Sequence, residues 1–283
     1  MIGVRLRRAL LLAALTVSLA VAGCATTLLY NHADWLIVRQ LDGYFDLSRS
    51  QKDFLYDRLD TIIRTHRHEA LPRYEAVLQQ VSARVQQRLT QQDLEWAFAQ
   101  YDELKTDLFA RFATDGADFA RLVSARQVSR LRETLQGRLH QEERLLQESP
   151  AARLKHRTER ILSLAREWLG TMTAQQEDDI RALAMEFPDT VPAWYAYQQR
   201  RNERLIALLE SKDSRETAAR LHDWLVEKEK EADRAFAESM AGLRQHIARL
   251  VLTCDRLATP KQRAYFLAKL NDLAKTLRRL QEA

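Results

Sequence analysis

Four near-copies of one short pattern fix where helices begin in this chain: LSRSQ at 47–51, VSARQ at 123–127, MTAQQ at 172–176 and ATPKQ at 258–262. In each, a Ser or Thr stands three residues before a Gln: Ser48 and Gln51, Ser124 and Gln127, Thr173 and Gln176, Thr259 and Gln262. This is the capping-box spacing. The hydroxyl accepts from the backbone N–H of the third helical residue, and the Gln side chain reaches back to the N–H of the cap. Losing such a cap costs about 1 kcal/mol. Pro260 follows Thr259 at the first helical position, where its missing N–H does no harm. Leu47, Val123, Met172 and Ala258 precede the caps, each able to act as half of a hydrophobic staple. Helical periodicity follows, with Phe54, Leu55, Leu59, Ile62 and Ile63 after the first copy and Tyr265, Phe266, Leu270, Leu273 and Leu277 after the last.

Between the boxes little interrupts a helix. The 283 residues hold seven glycines and five prolines, strong helix formers dominate, and continuous strand-like runs of Val, Ile and Thr are missing. The expected fold class is all-α. The order of features repeats: box, helix, LPRY (71–74), then TQQDLEWAF (90–98) and a second box; later box, helix, VPAW (191–194), TAARLHDWL (217–225) and a fourth box. Spacing between equivalents drifts from 120 residues (Leu71 to Val191) to 135 (Ser124 to Thr259), which fits an old duplication with altered loops. Pro150 in QESPAARLK marks the boundary, giving units 24–149 and 150–283. Gly116, Gly137 and Gly170 mark further candidate joints.

The chain opens with Arg5, Arg7 and Arg8, then an uncharged apolar run from Ala9 to Ala22, the layout of an export signal. That run is too short to span a bilayer, which takes roughly 20 residues. Its end, Val21-Ala22-Gly23-Cys24, resembles a lipobox. The resemblance implies removal of residues 1–23 and acylation of Cys24, the covalent lipid being the only cofactor-like group expected. Ala25, where an Asp would imply inner-membrane retention, favours outer-membrane attachment facing the periplasm. Loss of the leader takes three arginines from a formal charge of +5, so nucleic acid is not an expected partner. No Gly/Ser linker follows Cys24, and the body is expected close to its bilayer. Leu28, Leu29, Trp35, Leu36 and Leu41 are expected to face inward as core.

A hydrophobe followed by Ser/Thr-x-x-Gln, twice per unit in a helical envelope protein, resembles the LTxxQ motif of the Spy/CpxP stress chaperones. That resemblance implies long bent helices in two tandem Spy/CpxP-like units, a concave face for partly folded clients, and a second copy of the chain as a possible partner. No copy here is a strict Leu-Thr-x-x-Gln. Most of the mature chain also resembles a proteobacterial outer-membrane lipoprotein family known only as a domain of unknown function, through YNHADWL (30–36), YFDLSRSQ (44–51), HRHEALPRY (66–74) and the late TPKQ helix. It implies localisation and fold, and no activity.

Enzyme motifs are missing: no GxSxG elbow, phosphate-cradling Gly loop, HExxH or CxxC. His66, His68 and Glu69 are the best metal candidates. On a helix, however, residues two apart point about 200° from one another, so both imidazoles would not easily meet one ion. No metal and no catalytic residue is expected. Glu177, Asp178 and Asp179 suit the positive end of a helix. Cys254 has no intrachain partner if Cys24 is lipidated; it reads as a small buried thiol, or as one half of an intermolecular disulfide. Trp194 and Tyr197 share a helix face beside Arg200, Arg201 and Arg204, and read as a partner-gripping surface or as core. Tyr30, Asp34 and Trp35 form a second candidate surface beside the anchor. The expected function is non-enzymatic binding of unfolded or amphipathic envelope proteins, with docking to one specific envelope partner as the alternative.

Overall fold

The computed structural model describes residues 23–211, 214–226 and 233–282. The leader lies outside them, as does the side chain of Cys24. The described chain is all-α: α1 (Gly23–Asn31), α2 (Ala33–Phe45), α3 (Arg49–Thr65), a π-helical turn (His66–Ala70), α4 (Leu71–Gln86), α5 (Gln91–Leu122), α6 (Ala125–Gln147), α7 (Pro150–Leu169), α8 (Ala174–Met185), α9 (Val191–Ser211), α10 (Ser214–Val226), α11 (Arg234–Leu257) and α12 (Pro260–Glu282). The pattern residues open α3, α6, α8 and α12, with Ser48, Ser124, Thr173 and Thr259 immediately before them. Ser149 caps α7 ahead of Pro150. Of the three candidate joints only Gly170 ends a helix, at φ 73°; Gly116 and Gly137 lie inside α5 and α6. A glycine in a helix interior weakens it by about 1 kcal/mol against alanine, which long helices with packed faces absorb.

Packing follows the duplicated order, but it crosses the midpoint of the chain. α2 packs on α3 and α6, as α7 packs on α8 and α12. α3 packs on α5, as α8 does on α11. The longest contacts join opposite halves: α4 lies along α12, and its counterpart α9 lies along α6. α5 runs beside α10 and touches α11. Each half thus lends one helix to the other in a reciprocal exchange. The larger core accordingly gathers Val38, Phe45, Leu55, Leu59, Leu131 and Leu135 from the first half with Ile206, Leu209 and Leu221 from the second. A smaller core, Ile161, Leu162, Leu169, Ile180 and Phe187, belongs to α7, α8 and the residues that follow α8. Ion pairs reinforce the exchange: Arg244 grips Asp102 through two hydrogen bonds at 2.7 and 2.5 Å, Arg278 meets Glu75 at 2.6 Å, and Arg132 meets Glu210 at 2.5 Å.

The α1–α2 segment departs from expectation. Leu28, Leu29, Trp35 and Leu36 are exposed, whereas Val38 and Phe45 are buried and Leu41 packs against the core. The core-facing positions of α2 are 38, 41 and 45, spaced by three and four residues. Leu36 then falls on the opposite side of the cylinder and Trp35 on its flank, about a quarter turn from the core-facing stripe.

Candidate functional site

The four pattern glutamines meet in two pairs. In the first, Gln51 Nε2 donates to Gln127 Oε1 at 3.0 Å, and Gln127 Nε2 donates back to Gln51 Oε1 at 2.7 Å. The remaining amide protons go to backbone carbonyls at the partner helix's entrance: Gln51 to Leu122 O at 2.8 Å and Gln127 to Asp46 O at 3.3 Å. Each Oε1 also accepts from its own cap, Ser48 N and Ser124 N, both at 3.0 Å. The second pair repeats this. Gln176 and Gln262 exchange bonds of 2.9 and 3.0 Å, donate to Leu257 O and Thr171 O, and accept from Thr173 N and Thr259 N. All four are buried. A carboxamide offers two protons and two lone pairs, and here every one is used.

This explains why the residue is Gln. Glu serves a capping box as well, but it brings no donors, and two such groups face to face would both be acceptors. A fifth box makes the contrast: Thr90 and Asp93 cap α5 at an exposed site, and Asp93 uses a carboxylate held low by its bonds to Thr90, beside Arg84. With Asp93 where the other four have Gln, this box falls outside the repeated sequence pattern.

Where HRHEALPRY meets YNHADWL, a half-buried polar cluster forms. Pro72 has no N–H to give the carbonyl four residues back, and the preceding residues widen into the π-turn, with Leu71 N reaching His66 O. The widened turn aims His66 inward, between Tyr30 Oη (3.0 Å from Nδ1) and Tyr74 Oη (3.2 Å from Nε2). Burial, with Arg111 nearby, pushes His66 down to about 4, and burial with Asp107 nearby pushes Tyr74 up to about 12. At neutral pH the cluster is therefore an uncharged Tyr–His–Tyr chain. Arg67 donates to Asn31 Oδ1 at 3.1 Å and stacks on the Tyr30 ring, and Arg111 bridges Glu69 and Asp107. The cluster fastens α1 to the body. His68 is exposed and turned away, and no three His, Cys, Asp or Glu side chains converge on a metal-sized site among the described residues.

Tyr30 thus has its hydroxyl engaged within the cluster, and Trp35 lies on the outer face with Arg39 5.0 Å from its ring. Asp34, half-buried, sits in the first turn of α2, where its charge suits the helix dipole. Tyr197 is buried, its ring stacked 3.9 Å from Phe236, while Trp194 packs half-buried against both. Of the two readings of Tyr197, gripping surface or core, that geometry fits core. Cys254 is partly buried with its thiol pushed up to about 11 by burial and Asp255, a protonated and unreactive state.

A cluster absent from the sequence reading joins α7 to α12. Trp168 meets Phe266 edge-on at 5.4 Å, and Lys269 lies 5.2 Å from the Trp168 ring and 5.4 Å from the Tyr265 ring. Trp168 and Phe266 are half-buried; Tyr265 is 43 % exposed. The result is a partly open aromatic surface with a cation over it.

Among the described residues, no helix is long and apolar enough to cross a membrane. No curated protein and no solved structure matches the chain. A family model described as a family of unknown function (DUF6279) matches residues 43–235, from the end of α2 through the start of α11, a span that includes Gln51, Gln127 and Gln176. YNHADWL and the TPKQ helix lie outside that span. The chain belongs to this family of unknown function.

Proposed function

We propose that the chain is a lipoprotein tethered through acylated Cys24 to the outer membrane, facing the periplasm, and that it binds unfolded or amphipathic envelope proteins without catalysing a reaction. The leader and its lipobox-like end support the tether. The observation that carries the binding reading is the Trp168–Tyr265–Phe266 surface under Lys269. Rings left half-open beside a cation offer apolar area together with a charge, and so suit amphipathic or partly unfolded segments. His66 is held between two tyrosines, and the paired glutamines are satisfied by one another.

The test is suppression of aggregation of a chemically denatured client by purified protein, beside a Tyr265→Ser variant. The wild type should delay aggregation, and the variant should lose at least half of that protection while melting within a few degrees of wild type. No delay at a several-fold molar excess would end the chaperone reading. The second reading, docking to one specific envelope partner, draws on the exposed Trp35 and Leu36 beside the anchor. Crosslinking in intact cells separates them: many partners for a chaperone, one for a docking protein.

A further inference from the structure

The outward face of α1 and α2 carries four exposed large apolar side chains in one short stretch: Leu28 at 60 %, Leu29 at 43 %, Trp35 at 45 % and Leu36 at 36 % exposure. His32 and Arg39 share the face, and Arg39 lies over the Trp35 ring. Asp34 falls toward the other side, with Val38 and Phe45. The face is held firmly. Tyr30 is bonded to His66, Asn31 to Arg67, and α1 packs on α12, so it is presented by the body and is no loose tail.

We propose that this face lies in the headgroup–acyl boundary of the bilayer that carries the anchor, with Leu28, Leu29, Trp35 and Leu36 dipped into the apolar side and Arg39 at the phosphates. The inference rests on the tether proposed above. What selects a lipid surface over a protein partner is the chain that leads into the face. The apolar run Ala9–Ala22 and Cys24 direct this end toward a membrane, and Cys24 lies in the first turn of α1, so no linker separates anchor from face. The residue chemistry agrees: Trp with Arg or Lys flanking aliphatic side chains is the composition of an interfacial helix.

The geometry also sets an orientation. At 1.5 Å per residue, Leu36 lies about 18 Å along the helical path from Cys24. An interfacial helix buries its apolar face only about 5–10 Å deep. If α1 and α2 stood upright on the membrane, Leu36 would be lifted into water. Only with both helices lying along the surface can Leu28 and Leu36 reach lipid together.

The experiment places a nitroxide at Leu29→Cys, Leu36→Cys or Met185→Cys in a Cys254→Ala background of the full chain. The protein is recovered with its native N-terminal processing and reconstituted into phosphatidylethanolamine–phosphatidylglycerol vesicles. Collision with oxygen and with a water-soluble nickel chelate is read by power saturation. Labels at 29 and 36 should meet oxygen several-fold more readily than the chelate. The label at exposed Met185 should show the reverse. Adding Trp35→Ser and Leu36→Ser should turn the label at 29 aqueous while the protein remains in the vesicle fraction.

Vesicle-bound protein with aqueous readings at 29 and 36 would overturn the docking face and leave the tether standing. Dipolar broadening between labels at 36 would replace the bilayer by a second copy. Soluble, unlipidated protein would remove the tether, and failure of that protein to bind added vesicles would remove the docking face with it.

Discussion

Replacing Gln51 by alanine removes four hydrogen bonds at one buried position. Leu122 O and one Gln127 amide proton lose their partners, and the backbone N–H of Ser48 loses its cap. A buried polar group left unpaired costs about 1–3 kcal/mol, and a lost cap about 1. With Ser48 exposed and able to turn to water, Gln51→Ala should destabilise the protein by about 3–4 kcal/mol. Gln127→Ala should cost about the same, by the same reckoning. The double variant should cost less than the sum by about 1–2 kcal/mol, because the two reciprocal bonds are removed only once. Urea denaturation followed by far-ultraviolet circular dichroism measures all three, and the pair Gln176 and Gln262 provides a repeat. Asp93→Ala, in the unpaired box, serves as the control and should cost about 1 kcal/mol. Costs that add to within about 0.5 kcal/mol would refute the claim that the two amides act as one unit.

His66 makes stability depend on pH. Its value is about 4 when folded against 6.5 unfolded, so between these the unfolded chain binds more protons. Its contribution is complete above pH 6.5 and is lost as pH falls toward 4, about 3 kcal/mol in all. His66→Gln should flatten that part of the profile; parallel profiles for variant and wild type would refute the assignment. Gly170, at φ 73° and ψ −145°, occupies backbone space that is essentially glycine's alone, so Gly170→Ala should cost about 1–3 kcal/mol in thermal or urea unfolding. Loss below about 0.5 kcal/mol would mean the turn relaxes freely. With its thiol near 11, Cys254 should react with a maleimide at pH 8 far more slowly in folded protein than after denaturation, and equal rates would contradict its burial.

The helix starts were legible because a capping box is written in four consecutive residues, and its hydrogen bonds close within them. What the glutamines do beyond their own caps was not legible: Gln51 and Gln127 lie 76 residues apart, Gln176 and Gln262 lie 86 apart, and neither sequence window contains the other. Pro150 does begin a helix, as its place in the sequence suggests, but an amphipathic stripe does not say which helix will cover it, so the exchange of α4 and α9 between halves was invisible. The outward turn of Trp35 and Leu36 was missed for a related reason. Trp35, Leu36, Val38 and Leu41 offer two apolar faces on one helix, and only tertiary packing decided which became core. His66 needed the π-turn, which follows from Pro72 but shifts the helical register in a way periodicity does not anticipate.

The exchange of helices between halves has a consequence for how the chain comes to be folded. The apolar side of α4 is covered by α12, whose hydrogen bonds to it link residues 178 to 206 apart, so the first half has no finished surface to settle into by itself. α12 also holds the fourth glutamine and lies against α1, so a helix far along the chain is a keystone for an early one. A chain stopped before Pro260 is then an arch without its closing stone. It should be handled by proteases as unfolded, however intact its first half.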